Sequence, residues 1–250
     1  MGVYNPFSIV GKTILITGAS SGIGKTVAIE CSKLGAKVVI TGRDKKRLNE
    51  TFYSLEGEGN SKTEIDLTDL NSLKSFVEDI PLLDGVVHCA GLTKILPFQY
   101  VTKEALDSVF DVNFYAPVEL SRLLVKNKKI SKKSSIVFIS SISGICCSAM
   151  ASSIYSASKG ALNGIIKGMA LDLASKSIRV NSIMPGVIDT GFFKDSGVTA
   201  EDLNKGIKQY PLGRYGTPAE VSYAVVYLLS DASSWTTGSN ILVDGGYTLL

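Results

Sequence analysis

The sequence predicts a doubly wound α/β fold, with about seven mostly parallel strands and helices on both faces. Three observations predict it. Short runs apolar on both faces alternate with longer segments of helical period along the whole chain. The first run opens into a glycine-rich turn, Gly18-Ala-Ser-Ser-Gly22-Ile-Gly24, followed by a helical pattern and a second apolar run. Strand, glycine turn, helix and strand make the βαβ unit of a parallel sheet. Finally, no linker or shift of composition divides the 250 residues, which predicts a single domain over 1–250.

Taken in order, Lys12-Thr-Ile-Leu-Ile-Thr17 is the first strand. The helix after the turn carries Val27, Ala28, Cys31 and Leu34, and Gly35 ends it before the strand Ala36–Thr41. A helix around 44–56 leads to a strand ending near Ile65-Asp66. A further helix over about 69–79 precedes the strand Gly85–His88. One long helix from about 102 to 126 is followed by the strand Ser135–Ile139. A helix containing Tyr155 runs to about Ser175 and feeds the strand Ile178–Met184. A helix over about 218–230 and the strand Asn240–Val243 complete the pattern.

Composition excludes several function classes. No apolar run reaches the length of a membrane span, and the opening Met1-Gly-Val-Tyr-Asn-Pro-Phe lacks the charged and apolar regions of an export signal. A cytoplasmic protein without membrane contact is expected. A formal charge of +3 is too small to imply a polyanionic partner. The basic run Lys126, Lys128, Lys129, Lys132, Lys133 enters a strand, at the end of the sheet opposite the ligand crevice, so no nucleic-acid binding is expected. Cys31, Cys89, Cys146 and Cys147 lack metal-ligand spacing and are expected as reduced thiols, with no metal site. His88, the one histidine, ends an apolar run and is expected to be a satisfied near-core residue.

The chemistry concentrates in Tyr155-Ser156-Ala157-Ser158-Lys159. On a helix, i and i+4 share a face, so the phenol of Tyr155 stands beside the ammonium of Lys159. A free tyrosine titrates near pH 10 and a fixed cation favours its phenolate. Lowering it by about 3 units takes roughly 4 kcal/mol. Gly18, Gly22 and Gly24 lie where a diphosphate meets free backbone N–H groups and a helix dipole. At the end of the second strand, Arg43 suits a ribose 2′-phosphate and favours NADP(H). Asp44 either holds a ribose hydroxyl, which keeps NAD(H) open, or caps the next helix.

Thr17-Gly-Ala-Ser-Ser-Gly-Ile-Gly24, Asn113, Ser141, Tyr155 with Lys159, Pro185-Gly186 and Val243-Asp-Gly-Gly246 occur in the order seen in short-chain dehydrogenases/reductases. The chain resembles that family over nearly its whole length, and in particular the branch containing 3-oxoacyl-[acyl-carrier-protein] reductases. Pro211-Leu-Gly-Arg-Tyr-Gly-Thr-Pro-Ala-Glu-Val221 and Thr237-Gly238 are also similar to that branch. The resemblance implies a Rossmann fold, a small carbonyl or alcohol substrate, and a homotetramer. It implies that Tyr155 is the general acid and base, and that Lys159 lowers its pKa and binds the nicotinamide ribose. Ser141 would hold the substrate carbonyl, and Asn113 a water that relays protons to Lys159. For the cofactor it implies Gly18, Ser20, Ser21, Gly22, Ile23 and Gly24 at the phosphates, with Asp66 and Leu67 at the adenine. Ala90, Gly91, Pro185 and Gly186 would border it, and Thr190 with the backbone of Ile188 would hold the carboxamide.

The chain departs from the family pattern in three places. His88-Cys89-Ala90-Gly91 stands where the family has Asn-Asn-Ala-Gly, which bears on support of the central sheet. Ser141 lies 14 positions before Tyr155, one more than usual, so Ser140 and Ser143 stay open as the active hydroxyl. Ser21 occupies a position that is often basic in NADP-preferring relatives. The segment from Gly191 to about Tyr210 reads as a lid; its Phe192 and Phe193 either line a pocket or pack the lid down, with Val198 and Ile207 as further anchors. Lys194, Lys205 and Lys208 there either meet an anionic substrate or are solvated. Small residues on the Tyr155 helix, Gly160, Gly164 and Gly168 among them, suggest close helix approach, within the chain or between subunits. Two other functions stay open beside an NADP(H)-dependent carbonyl reductase: an NAD-dependent sugar or polyol dehydrogenase, and a nucleotide-binding relative without catalysis.

Overall fold

Thr13–Thr17 (β1), Lys37–Gly42 (β2), Ser61–Glu64 (β3), Leu83–His88 (β4), Ile130–Ile139 (β5), Arg179–Pro185 (β6) and Asn240–Val243 (β7) form one sheet in a computed structural model that describes residues 4–190 and 205–250. The strand order is β3-β2-β1-β4-β5-β6-β7 and every pairing is parallel. The helices are Gly22–Lys33 (α1), Lys45–Tyr53 (α2), Leu70–Asp79 (α3), Lys103–Phe110 (α4), Ala116–Lys126 (α5), Ser153–Ala174 (α6) and Pro218–Leu229 (α7). This is the doubly wound Rossmann architecture expected from the sequence.

The period of two along each strand divides the core. Leu15, Val86, Ile136 and Phe138 face α3, α5 and α6, where they meet Leu73, Leu120, Leu124 and Ile166. Ile14, Ile16, Val87 and Val137 face the other side and pack on Val27, Ala28 and Cys31 of α1 and Val221 and Val225 of α7. Because β1 lies between β2 and β4, successive crossovers leave it in opposite directions, and a crevice opens above its carboxyl end. The Oγ1 of Thr17 accepts the N–H groups of Cys89 (3.2 Å) and Ala90 (3.3 Å), which locks the ends of β1 and β4 together at that point.

Two elements differ from the sequence expectation. The long helix is interrupted by a π turn, Asp111–Tyr115, between α4 and α5. Pro117 explains it. A proline has no N–H for the carbonyl four residues back, here Asn113, and its ring collides with that carbonyl in an α-helix. Widening the turn relieves the collision, and such bulges cluster at functional positions. Strand β5 also begins five residues early, taking in Lys132 and Lys133 at an irregular register between Leu83 and Gly85. The neighbouring Lys129 is not simply solvated: its Nζ caps α3 by donating to Glu78 O (2.7 Å) and Ile80 O (2.9 Å).

His88 is buried but only half satisfied. Nε2 pairs with Ser121 Oγ at 2.8 Å and the ring stacks on Phe138 at 4.6 Å, while Nδ1 has no partner. Burial lowers its pKa to about 3, so the ring stays neutral. Among the described residues, no helix is long and apolar enough to cross a membrane.

The His88 environment makes stability depend on acid. Its folded pKa lies below the unfolded one, so the unfolded chain binds the extra proton between pH 6.5 and about 3, and stability falls as pH falls through that window. From pH 7 to 5 the expected loss from this ring is about 2 kcal/mol. Urea unfolding of a His88→Asn variant at both pH values should give a drop smaller by that amount; equal drops would refute the assignment.

Candidate active site

The crevice is a cleft of about 730 Å³. Its floor is the turn after β1, where Gly18 (φ +64°) and Gly22 (φ +53°) adopt left-handed backbone. A Cβ on Gly24 would run into the carbonyl of Gly18, so the turn can press close only without side chains there. Ser20, Ser21 and Ile23 complete that floor. Thr190 faces it from the far side, with its Cγ2 3.3 Å from where a Cβ on Gly22 would stand. Ala90 and Gly91 form the wall at the end of β4.

Arg43, Asp66 and Leu67 border the other end of the cleft. Asp44 caps α2: its carboxylate accepts Arg47 N–H (2.9 Å) and Arg47 Nε–H (2.6 Å), which hold it below the usual carboxylate range. Asp66 accepts the Thr68 N–H (3.0 Å) and hydroxyl (2.7 Å) and is also lowered, the backbone bond being the main cause. Among the described residues the Arg43 guanidinium makes only a long ion pair with Asp66, at 3.8 Å, and is 62% exposed. It has donors to spare for an anion.

Pro185 ends β6, Gly186 N–H donates to Val243 O (3.0 Å), and Ile188 bridges to Gly216. Several lining residues went unnoticed in the sequence, including Arg47, Val112, Ala116 and Ile139. Arg47 carried a usable signal, since it lies in the first turn of a helix that starts at the predicted adenosine corner. The expected lid residues Phe192, Phe193, Lys194 and Val198 lie outside the described residues; Lys205 and Lys208 are exposed.

Beside the cleft wall at Gly91, the first two turns of α6 carry Tyr155, Ser158 and Lys159. Lys159 is buried, and its Nζ donates to Ile139 O at 2.8 Å, 5.8 Å from the centroid of the Tyr155 ring. Burial lowers its pKa to about 8. Tyr155 moves the other way: burial raises its pKa, and a side-chain hydrogen bond from Ser141 only partly opposes this. The lowering of Tyr155 expected from Lys159 is therefore not the net outcome in the folded chain. The ammonium is spent on a carbonyl, and desolvation of the phenol dominates.

Of the three candidate serines, Ser141 is the one whose hydroxyl pulls the phenol pKa down. The hydroxyl of Ser140 donates to Lys159 O (3.3 Å), and Ser143 gives its N–H to Ser141 Oγ (3.1 Å). The extra residue before Tyr155 is absorbed in the turn 142–152, where Gly144 (φ +115°) packs against Ser156 O and Gly160 N.

The Asn113 side chain, on the π turn, is held from three directions. Nδ2 donates to Leu92 O (2.9 Å) and Ser158 Oγ (3.0 Å), and Oδ1 accepts Leu92 N–H (2.8 Å). Ser158 in turn donates to Tyr155 O at 2.7 Å. A Cβ on Gly91 would stand 3.4 Å from Asn113 Oδ1 and 3.6 Å from Lys159 Nζ, so these groups converge beside the cleft wall. Among the described residues, no group of three His, Cys, Asp or Glu is placed to hold a metal ion.

Comparison with known proteins gives a consistent picture. A family model described as "Enoyl-(Acyl carrier protein) reductase" matches residues 18–248. A tropinone reductase homolog of Arabidopsis thaliana is 34% identical over 97% of this chain and 92% of its own length. A 3-oxoacyl-[acyl-carrier-protein] reductase of Rickettsia prowazekii is 32% identical over 97% of this chain and 99% of its own. An L-xylulose reductase of Caenorhabditis elegans is 32% identical over 97% and 98%. Among solved structures, a protein named as a gluconate dehydrogenase of Agrobacterium tumefaciens superposes with a TM-score of 0.90 at 25% identity, covering 99% of this chain and 100% of that one.

The state of Lys159 has a measurable consequence. Its folded pKa, about 8, lies below the value of 10.5 for a free lysine, so the unfolded chain binds more protons between these limits. Stability should therefore rise with pH through that window, by up to about 3 kcal/mol from this group. Denaturant titrations at pH 8 and 10 should find the rise between them smaller by about 2 kcal/mol in Lys159→Met; an identical rise in both proteins would refute it.

Proposed function

The chain belongs to the short-chain dehydrogenase/reductase family and is an NAD(P)-dependent oxidoreductase, and we propose that it uses NADP(H) to interconvert a carbonyl compound and a secondary alcohol. Substrates in keeping with its relatives' names are 3-oxoacyl thioesters and small ketones. The observation that carries the reading is the convergence of buried Lys159, whose Nζ lies 5.8 Å from the centre of the Tyr155 ring, and Asn113 beside Gly91, in the wall of the nucleotide-sized cleft. The glycine cradle at Gly18 and Gly24, which a Cβ would fill, suits a diphosphate, and Arg43 suits a 2′-phosphate. Bound there, the nicotinamide supplies or accepts the hydride.

The residues of the chain handle the proton and the position. Ser141 donates a hydrogen bond to the substrate oxygen, fixing it within reach of Tyr155. Tyr155, held protonated above the ordinary phenol range, gives its proton to that oxygen as negative charge develops there. The ammonium of Lys159 stabilises the phenolate left behind. The carbonyl of Asn113, which Pro117 cannot satisfy in the usual way, is our candidate for holding the water that returns a proton to Lys159.

Asp44 weighs against the NAD(H) alternative, because both its oxygens are already engaged by Arg47. We further infer a homotetramer in the cytoplasm. In support, Gly164 and Gly168 of α6 have open space where a Cβ would be, with Leu171 79% exposed beside them, and the four cysteines are free thiols.

Tyr155→Phe should lower kcat for carbonyl reduction by about 100-fold or more, with NADPH affinity measured by fluorescence titration unchanged. Turnover near the wild-type rate would overturn the proton-donor role. Arg43→Ala should weaken NADPH by about 10- to 100-fold, the worth of a charge-assisted hydrogen bond, and leave NADH unaffected. Equal losses for both cofactors would remove Arg43 from the 2′-phosphate site.

A further inference from the structure

Two acids and two arginines line the cleft after β2 and β3, and each acid is paired with one arginine. Asp66 lies 3.8 Å from Arg43, and Asp44 lies 2.6 Å from Arg47. The second pair is the tighter and is built into the start of α2. Asp44 is the N-cap, accepting the Arg47 N–H at Oδ1 (2.9 Å) and the Arg47 Nε–H at Oδ2 (2.6 Å).

The helix also fixes where Arg47 stands. Thr51, four residues on, shares its face of α2. The buried Thr51 hydroxyl lies 2.9 Å from Ala19 O, in the glycine turn, and 3.1 Å from Arg47 O. The first turn of α2 is thereby tied to the floor of the cleft. A guanidinium carries five N–H donors in a planar fork, and Nε uses one of them on Asp44. Among the described residues the two Nη groups of Arg47 make no hydrogen bond, and the side chain is 58% exposed.

A free carboxylate at this corner would accept a ribose 2′-hydroxyl and repel a 2′-phosphate. With both oxygens bonded to Arg47, Asp44 is turned away from the first task and its charge is compensated for the second. We propose that Arg47 determines cofactor specificity in two ways: Nε neutralises Asp44, and the Nη groups bind the 2′-phosphate beside Arg43. The inference rests on the NADP(H) reading and adds to it the residue that makes an acidic corner accept a phosphate. Arginine suits both tasks at once because its fork holds two oxyanions in fixed directions, which a lysine ammonium does not.

Fluorescence titration of the full chain with NADPH and with NADH reads both affinities without turnover. Arg47→Ala keeps the backbone cap and releases Asp44 Oδ2. NADPH binding should weaken about 10- to 100-fold, while NADH binding stays level or tightens. Asparagine caps a helix as well as aspartate does, so an Arg47→Ala, Asp44→Asn double variant keeps the fold. It should bind NADPH about fivefold more tightly than Arg47→Ala alone, because one uncompensated negative charge is gone. Equal losses for both cofactors, an unchanged preference in Arg47→Ala, or no recovery in the double variant overturns the role of Arg47 and leaves the NADP(H) reading standing. A wild-type chain that binds NADH more tightly than NADPH overturns both.

Discussion

The burial of one ammonium group is the constraint around which the inner end of this crevice is arranged. Keeping Lys159 charged out of water costs the folded state about 3 kcal/mol at neutral pH, a large fraction of a typical domain's net stability. That cost is tolerable only because the end of β5 offers the carbonyl of Ile139, and because α6 is held at a fixed distance from it. The Ser140 hydroxyl reaches the carbonyl of Lys159, Ser158 bonds the carbonyl of Tyr155, and Gly144 lets the connecting turn lie directly on the helix. Each contact is ordinary on its own. Together they leave the ammonium one position to occupy, beside the phenol and the cleft wall.

The π turn belongs to the same arrangement. Pro117 is a poor residue for the interior of a helix and imposes a wide turn just ahead of it. That turn carries Asn113, whose amide uses all its donors on Leu92 and Ser158. One asparagine therefore ties the segment after β4 to α6, so the wall of the cleft and the helix carrying Tyr155 and Lys159 share a single frame. A local departure from helical regularity has become the joint between two elements.

Much of the fold was legible because the sheet is covered on both faces. Strands such as Val86-Val87 and Ile136-Val137 must be apolar at successive positions, and helices must alternate with them, so the pattern is hard to mistake. The motif residues of the site were legible by resemblance, and the structure sets Lys159 and Asn113 beside Gly91 of the cleft wall, with the Tyr155 ring 5.8 Å from Lys159 Nζ. What was not legible depends on contacts between distant segments. Nothing local to His88 announces that Ser121, 33 residues away, satisfies one ring nitrogen and that nothing satisfies the other. Whether Ser140, Ser141 or Ser143 meets the phenol is set by how the turn 142–152 folds on α6, which spacing alone leaves open. The π turn could have been anticipated from Pro117, since its clash with residue 113 is a matter of covalent geometry.

The opposite displacements of Tyr155 and Lys159 bear on direction. An acid that must surrender a proton to a carbonyl is useful only if it carries the proton beforehand, and a phenol raised by burial does so throughout the neutral range. A base for alcohol oxidation needs the reverse, a phenolate populated at the same pH. In the folded chain the ammonium that would favour phenolate has its pKa lowered to about 8 and is bonded to a carbonyl, so its pull on the phenol is weak until charge develops. Stabilisation that strengthens as the proton leaves is worth more to the rate than stabilisation present from the start. On the reading proposed above, a phenol raised by burial suits Tyr155 to proton donation, with Lys159 contributing most when the phenolate forms.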